Sequence, residues 1–274
     1  MPELPEVETV VRALNRALKG KTTTGALSLG RLRFPFDAAA AGRRLAGKEI
    51  LRIRRRAKYI LIDFPENLAL LAHLGMTGRF RVDPSGTPRD RHDRVIFNLL
   101  DGLELRFSDA RRFGFLKLAD LPRPGGIPPE CDRLGPEPLE RGFTGGLLLA
   151  LAKKRTLPVK SFLMDQKTVA GVGNIYASEA LHAAGIDPRR PTSDLTPVEW
   201  ERVVRAIKTV LRRAIRQGGS TIRNYRTIDG SEGGFQQSLQ VYGKAGGTCP
   251  GCDGKIQSIR IGGRSTFFCP ECQG

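Results

Sequence analysis

The sequence predicts an α+β chain of more than one domain. An N-terminal, mostly antiparallel β-sandwich with flanking helices leads into a helical domain, which ends in a β-hairpin around a metal. Three observations predict this. The chain has 274 residues, long for one small domain and comfortable for two. Its pattern changes from short β-like runs, between about 22 and 120, to helical periodicity between Phe143 and Gln217. Four cysteines in two close pairs then fall near the C-terminal end.

Residues 7–18 come first, with Val7, Val10, Val11, Leu14 and Leu18 at helical spacing and Pro5 suited to an early helical position. Strand-like runs follow at Ile50–Ile53, Tyr59–Phe64, Val95–Leu100 and Leu103–Phe107, punctuated by turn residues such as Asp101-Gly102. The Pro/Gly-rich stretch Leu121–Pro138 marks the change of domain. Within the helical part, Thr196 and Glu199 form a capping-box pattern with Pro197 at the first position, and Trp200, Val203, Val204, Ile207, Val210, Leu211 and Ala214 give a buried face. Gly218-Gly219 ends that helix, and Ser220–Gly234 reads as a long polar loop of the kind that often carries function. The expected division is a domain over 1–130, a linker over 131–141, a helical domain over 142–236 and a metal finger over 237–274.

Lys plus Arg number 45 against 28 Asp plus Glu, a net charge of +17. That excess is the electrostatic footprint of a nucleic-acid binder, although a basic surface also serves ribosomes, membranes or solubility. The opening residues lack the basic start and apolar core of a signal peptide, and the longest apolar run, Leu147–Ala152, is too short to span a bilayer. A reducing, cytoplasmic location fits the odd cysteine count.

Cys249, Cys252, Cys269 and Cys272 form a CxxC…CxxC pair, the spacing of one tetrahedral structural Zn²⁺; two disulfides are the alternative. Four thiolates close the shell, so this metal holds a hairpin and leaves no site for a reacting water. The expected strands are Lys255–Gly263 and Ser265–Phe268, and Cys131 is left over. The segment from Lys160 to Gly185 reads helix, turn, helix, with Gly171 and Gly173 freeing the turn and Asn174 placed to cap the second helix. Such a turn presents amides and a helix N-terminus to a phosphate, but an ordinary helix cap explains Asn174 equally well. His73-Leu-Gly-Met76-Thr-Gly and Asp109-Ala-Arg111-Arg112-Phe113-Gly look like loop tips. Met76, Arg111 and Phe113 are of the types that wedge into a base stack, with core packing the alternative for Met76 and Phe113. The basic run Arg52–Lys58 alternates too little to be buried, which suggests a solvated or phosphate-facing strand.

The opening Pro2-Glu3-Leu4-Pro5-Glu6 reads as a helix start with acids favoured by the dipole. It also has a chemical reading. Removing Met1 frees a prolyl amine. An α-amine titrates near about 8, a lysine near about 10.4, so at neutral pH far more of the former is nucleophilic. A secondary amine gives a cationic iminium with a sugar carbon, and neighbouring carboxylates supply acid and base.

MPELPEVETV, RRAKY, HLGMTG, DARRFG, MDQKTVAGVGNIYASEAL, GGF…LQVYG and the terminal cysteine quartet run in order from Met1 to Gln273. Together they resemble the formamidopyrimidine-DNA glycosylase family along the whole chain. Ala57, where that family often has Gly, and Ala110, where it often has Pro, are two departures. The resemblance implies a C-terminal helix–two-turn–helix domain with a zinc-finger hairpin, a monomer, a bacterial cytoplasmic and nucleoid-associated location, and damaged double-stranded DNA lying in a cleft between domains. It implies excision of oxidised purines and cleavage of the resulting abasic site, with one structural Zn²⁺ as the sole cofactor. By match of motif, Pro2 is the nucleophile, Glu3 the acid that protonates the sugar ring oxygen, and Glu6 helps orient the amine. Lys58 serves β-elimination and Arg264 δ-elimination. Met76, Arg111 and Phe113 fill the gap left by a flipped base and contact the orphan base, and His73, His92, Arg155, Lys160, Asn174, Tyr242 and Arg264 face the DNA. Ser220–Gly234 closes over the flipped base. Two readings of a different class stand beside this one. A non-catalytic zinc-finger DNA binder shares every phosphate and zinc feature and lacks only a use for Pro2, Glu3 and Lys58. A zinc hydrolase is disfavoured by three histidines with no HExxH pattern.

Overall fold

The computed structural model describes residues 2–220 and 233–274, so most of the Ser220–Gly234 loop lies outside the described residues. Two compact units divide the chain: residues 2–132 with 218–220 and 233 form one, and 133–217 with 234–274 form the other.

The first unit opens with α1 (Leu4–Leu18), whose Val7, Val10, Val11, Leu14 and Leu18 are all buried. The apolar residues recur every three to four positions, so one stripe faces the core as the sequence predicts. Then come β1 (Thr23–Ser28), α2 (Ala38–Leu45), β2 (Arg52–Arg56), β3 (Tyr59–Phe64), β4 (Leu68–His73), β5 (Arg79–Pro84), β6 (Asp93–Leu99), β7 (Leu103–Ser108) and β8 (Phe115–Asp120). They form two four-stranded antiparallel sheets, ordered β1-β6-β7-β5 and β2-β3-β4-β8. Side chains from both sheets and from α1 share one core, in which Ile60, Ile62, Leu70 and Ala72 meet Phe80, Val95, Phe97 and Phe107. Alternation along each strand supplies that inner face.

The basic run departs from its expected role. Arg52 and Arg54 both donate to Asp63 at 2.7 Å, and Arg54 also reaches the Gly126 carbonyl at 2.6 Å. Arg55 donates to Glu8 at 3.0 Å and to the Ala57 carbonyl at 3.1 Å. The expected strand at Ile50–Ile53 lies instead at Arg52–Arg56, paired antiparallel with β3, and carboxylates and carbonyls receive the guanidiniums that the strand would otherwise leave in solvent. Spacing along one strand cannot reveal partners supplied from elsewhere.

The second unit holds α3 (Gly145–Ala152), α4 (Val159–Met164), α5 (Asn174–Ala184), α6 (Pro197–Arg216), the hairpin β9 (Gln257–Ile261) and β10 (Arg264–Phe268), and α7 (Pro270–Gln273). The Thr196–Glu199 capping box with Pro197 starts α6 as expected. Its buried face carries Trp200, Val203, Val204, Ile207, Leu211 and Ala214, while Val210 is only half-buried. No helix among the described residues is long and apolar enough to cross a membrane.

Candidate active site, DNA-facing residues and metal centre

Pro2, Glu3 and Glu6 are all buried at the start of α1, the two glutamates at 3% and 2% exposure. Burying two acids requires donors. Glu3 stands at the N-cap in extended backbone, and its N–H donates to Glu6 Oε2 at 2.8 Å. Glu6 Oε1 accepts from the Ser220 N–H at 2.8 Å and from its hydroxyl at 3.2 Å. One carboxylate therefore ties the chain start to the residue that opens the segment 221–232. Gly219, at φ +81°, sits so close that a Cβ there would lie 2.8 Å from Glu6 Oε1. That approach accounts for the glycine.

Lys58 is buried in the turn between β2 and β3, immediately after Ala57 at φ +50°. Burial and the Lys58 charge push His73 down to about 4. His73 Nδ1 accepts the Gly75 N–H at 3.0 Å, so the neutral ring carries its proton on Nε2. The Tyr59 ring lies 5.0 Å from it.

Met76, Arg111 and Phe113 are exposed at neighbouring loop tips, so the core-packing alternative does not hold for Met76 and Phe113, at 38% and 39% exposure. The Arg111 guanidinium lies 4.9 Å from the centre of the Phe113 ring, and Arg33 lies 5.7 Å from it. Gly75, at φ +59°, lets the loops touch: a Cβ there would lie 2.5 Å from the Phe113 carbonyl carbon. His92 is half-buried; its N–H donates to Asp90 Oδ1 at 2.7 Å, and its Nε2 accepts from Arg91 at 3.0 Å.

In the second unit the helix–turn–helix segment departs from the expected cap. Gly173 occupies the N-cap of α5 and Asn174 is its first residue. The Asn174 side chain instead accepts from Lys160 Nζ at 2.6 Å and donates to the Ser265 carbonyl at 2.9 Å. Lys160 is fully buried, and its ammonium also donates to the Ser265 carbonyl at 3.0 Å and Thr266 Oγ1 at 2.7 Å. This network ties the helix turn to strand β10, on which Arg264 stands exposed. Tyr242 packs on Phe267 at 5.1 Å, and its hydroxyl accepts from Asn174 at 3.4 Å. Arg155 is exposed, donates to Thr168 Oγ1 at 3.1 Å and lies over the Phe162 ring.

Sequence reasoning missed three organisers. Asp109 is fully buried beside the loops that carry Met76, Arg111 and Phe113. Buried Glu179 accepts the backbone N–H groups of Gln240, Val241 and Tyr242 at 2.8, 3.0 and 2.8 Å. His182 Nε2 lies 3.4 Å from Cys249 Sγ, the position of an outer-shell partner to a metal ligand. Each is an ordinary polar residue in sequence. Only burial and convergence distinguish it, and a single sequence carries neither signal.

The sulfurs of Cys249, Cys252, Cys269 and Cys272 lie within 4.8 Å of one another. Cys249 and Cys272 are 3.8 Å apart and Cys252 and Cys269 3.4 Å, far beyond a disulfide bond and close to the edge of about 3.8 Å set by a ZnS₄ tetrahedron. All four cysteines are free, so the disulfide alternative falls and the residues fit one structural zinc ion. Cys131 is buried, with its thiol pushed up to about 11 by desolvation.

Fold and sites define a zinc-finger protein of the helix–two-turn–helix class. Three family models match in order: the formamidopyrimidine-DNA glycosylase N-terminal domain over residues 1–116, its H2TH domain over 134–226, and a zinc finger found in FPG and IleRS over 246–274. Similar proteins include the formamidopyrimidine-DNA glycosylases of Laribacter hongkongensis and Acidithiobacillus ferrooxidans, 48% and 45% identical, with both chains covered in full. Among solved structures, a Lactococcus lactis FPG variant in complex with Fapy-dG DNA superposes with a TM-score of 0.89 at 35% identity, covering 99% of each chain. MutM in complex with carbocyclic 8-oxo-G DNA gives 0.87 at 34% identity, again covering 99% of each chain. The chain belongs to the formamidopyrimidine-DNA glycosylase family.

Proposed function

We propose that the chain is a bifunctional DNA glycosylase that excises oxidised purines, 8-oxoguanine and formamidopyrimidines, from duplex DNA and then cleaves the abasic site. The burial of Pro2, Glu3 and Glu6 together at the start of α1 carries this reading. Glu3 and Glu6 also make a capping box, which a binder could use. What favours catalysis is that these buried acids lie beside Pro2, whose nitrogen becomes a secondary amine once Met1 is removed. The DNA complexes of the Lactococcus protein and of MutM support the substrate class. The division into a domain over 1–130, a linker over 131–141, a helical domain over 142–236 and a finger over 237–274 belongs to the same reading, as does a place in the bacterial cytoplasm at the nucleoid.

The lesion leaves the base stack because its sugar carbon is out of reach inside it. Met76, Arg111 and Phe113 enter the vacated space, and their exposure and mutual contact suit that use. The freed Pro2 nitrogen bonds to C1′, Glu3 donates a proton to the ring oxygen, and the base departs with the glycosidic electron pair. The open sugar is then held as a cationic iminium. Lys58 takes part in loss of the C2′ proton and the 3′ phosphate, and Arg264 in loss of the 5′ phosphate. Glu6 holds the chain start in place through the Glu3 N–H and anchors Ser220. Asn174, Arg155, His92 and Arg264 contact phosphates, His73 and Tyr242 face the DNA, and Lys160, buried and bonded to Asn174, acts through it. The zinc ion supplies structure alone, because its shell is closed by four sulfurs.

Glu3→Gln keeps size but cannot donate a carboxylic proton. Excision of 8-oxoguanine falls by about 10²–10⁴-fold, the usual worth of general acid catalysis. Cleavage of a preformed abasic duplex falls much less, since part of that sugar is already the open aldehyde. Single-turnover cleavage of matched duplexes reads both. Equal losses on the two substrates would remove the ring-opening role from Glu3.

A further inference from the structure

The two wedge loops are about thirty-five residues apart in sequence, and the strand pairs His73–Phe115 and Arg79–Ser108 bring their bases together; what fixes their tips against each other is a separate matter. Asp109 is fully buried and spends both carboxylate oxygens on that task. Oδ2 accepts the Gly114 N–H at 2.6 Å; Oδ1 accepts the Arg111 N–H at 3.2 Å and the Thr77 hydroxyl at 2.5 Å. Thr77 Oγ1 in turn accepts the Arg111 N–H at 3.0 Å. Thr77 follows Met76, and Arg111 and Gly114 bracket Phe113, so this one node touches the backbone or side chain adjoining all three wedge residues. The Asp109 carbonyl accepts from Arg94 at 3.1 Å, which fixes the base of its loop. Between these anchors Arg112 is held at φ +60°, a conformation a non-glycine residue keeps only when its surroundings impose it.

We infer that Asp109 and Thr77 are positioning residues that set the register of Met76 against Arg111 and Phe113, and thereby fix which base is accepted opposite the lesion. The inference rests on the reading of those three residues as the wedge. A hydroxyl that both donates and accepts, beneath a carboxylate that accepts on both oxygens, leaves one arrangement of the two loops. Without it the strand pairs His73–Phe115 and Arg79–Ser108 still hold the loop bases, and Gly75 still meets Phe113. The tips between them lose their polar tie, and a shift of the tips alters how Arg111 meets the unpaired base.

Thr77→Val preserves shape and removes the hydroxyl; Thr77→Ser restores it. Asp109→Asn turns an amide donor toward one of the N–H groups the carboxylate receives. Phe113→Ala disables the wedge itself and serves as the reference. The measurement is kcat/KM on 8-oxoguanine duplexes with cytosine or adenine opposite, alongside thermal melting. Thr77→Val and Asp109→Asn are expected to change the cytosine-to-adenine ratio by about fivefold or more, the effect of one such hydrogen bond, while Thr77→Ser stays within about twofold. A purely structural role lowers both rates together and leaves the ratio unchanged. If Phe113→Ala shifts the ratio and Thr77→Val does not, the clamp is overturned while the wedge stands. If Phe113→Ala leaves it unchanged, the wedge reading fails and takes the clamp with it.

Discussion

His73 shows how one side chain's surroundings fix its chemistry. With burial and Lys58 holding it at about 4, the imidazole is neutral at physiological pH and offers Nε2–H as a donor. The folded pKa lies below the unfolded value of about 6.5, so the unfolded chain binds the extra proton. Stability is therefore lost as pH falls from about 6.5 toward 4, and nothing is gained above that window. Titration of the His73 ring protons by NMR checks this; an inflection near 6.5 would contradict it. Ala57 is a second residue-scale case. At φ +50° it occupies the left-handed region, which costs an L-residue roughly 1–2 kcal/mol, where the family often has glycine. Offset by the entropy glycine loses on folding, Ala57→Gly is expected to raise stability by about 0.5–1 kcal/mol in urea melts. The sequence exposed Ala57 only as a departure from a pattern; the backbone angle gives the reason.

The zinc hairpin and the helix turn behave as one element. The small cluster of Val241, Cys249, Ile256 and Cys269 is the hairpin's buried core, and two of its four members are metal ligands. Metal binding is then most of the hairpin's folding energy. Cys249→Ser or chelation is expected to lose zinc and duplex binding together, with Pro2 chemistry lost as a consequence; full activity in zinc-free protein would contradict this. Lys160 and Arg264 separate two roles within the element. Lys160→Met leaves the Asn174, Ser265 and Thr266 oxygens short of a buried donor and is expected to cost roughly 3 kcal/mol of stability. It leaves the salt dependence of DNA binding nearly unchanged. Arg264→Ala has little effect on stability and lowers the slope of log K against log salt by about 1. Denaturant melts and binding titrations over a salt series distinguish them. Cysteine spacing made the metal centre legible, because coordination geometry constrains ligands close in sequence. The Lys160 network was illegible because two of its three partners, Ser265 and Thr266, lie about a hundred residues away.

Across the whole chain, much that rests on local pattern is legible in the sequence, although the expected Asn174 cap and the buried place of Val210 are local readings that fail, and what rests on convergence is not. The stripe of α1, the capping box of α6, strands β3, β6 and β7 and the cysteine quartet follow from periodicity and spacing. The fate of the Arg52–Arg56 run, the Asn174 contacts and the Asp109 node depends on where distant elements meet, and no single-sequence period encodes that. The charge of +17 acts at this scale too. Binding is expected to weaken steeply with salt as several counterions are released, and a slope near zero would contradict a phosphate-dominated interface. The central claim is that the prolyl amine, and no lysine, becomes covalently joined to the sugar. Borohydride reduction during turnover of an 8-oxoguanine duplex, followed by peptide mapping, tests it most directly. The account predicts a single adduct on the N-terminal peptide at Pro2, absent from homogeneous protein that retains Met1 or carries an N-terminal tag, while DNA affinity is kept. An adduct mapped to Lys58 or another lysine, or one formed by the blocked protein, would contradict it.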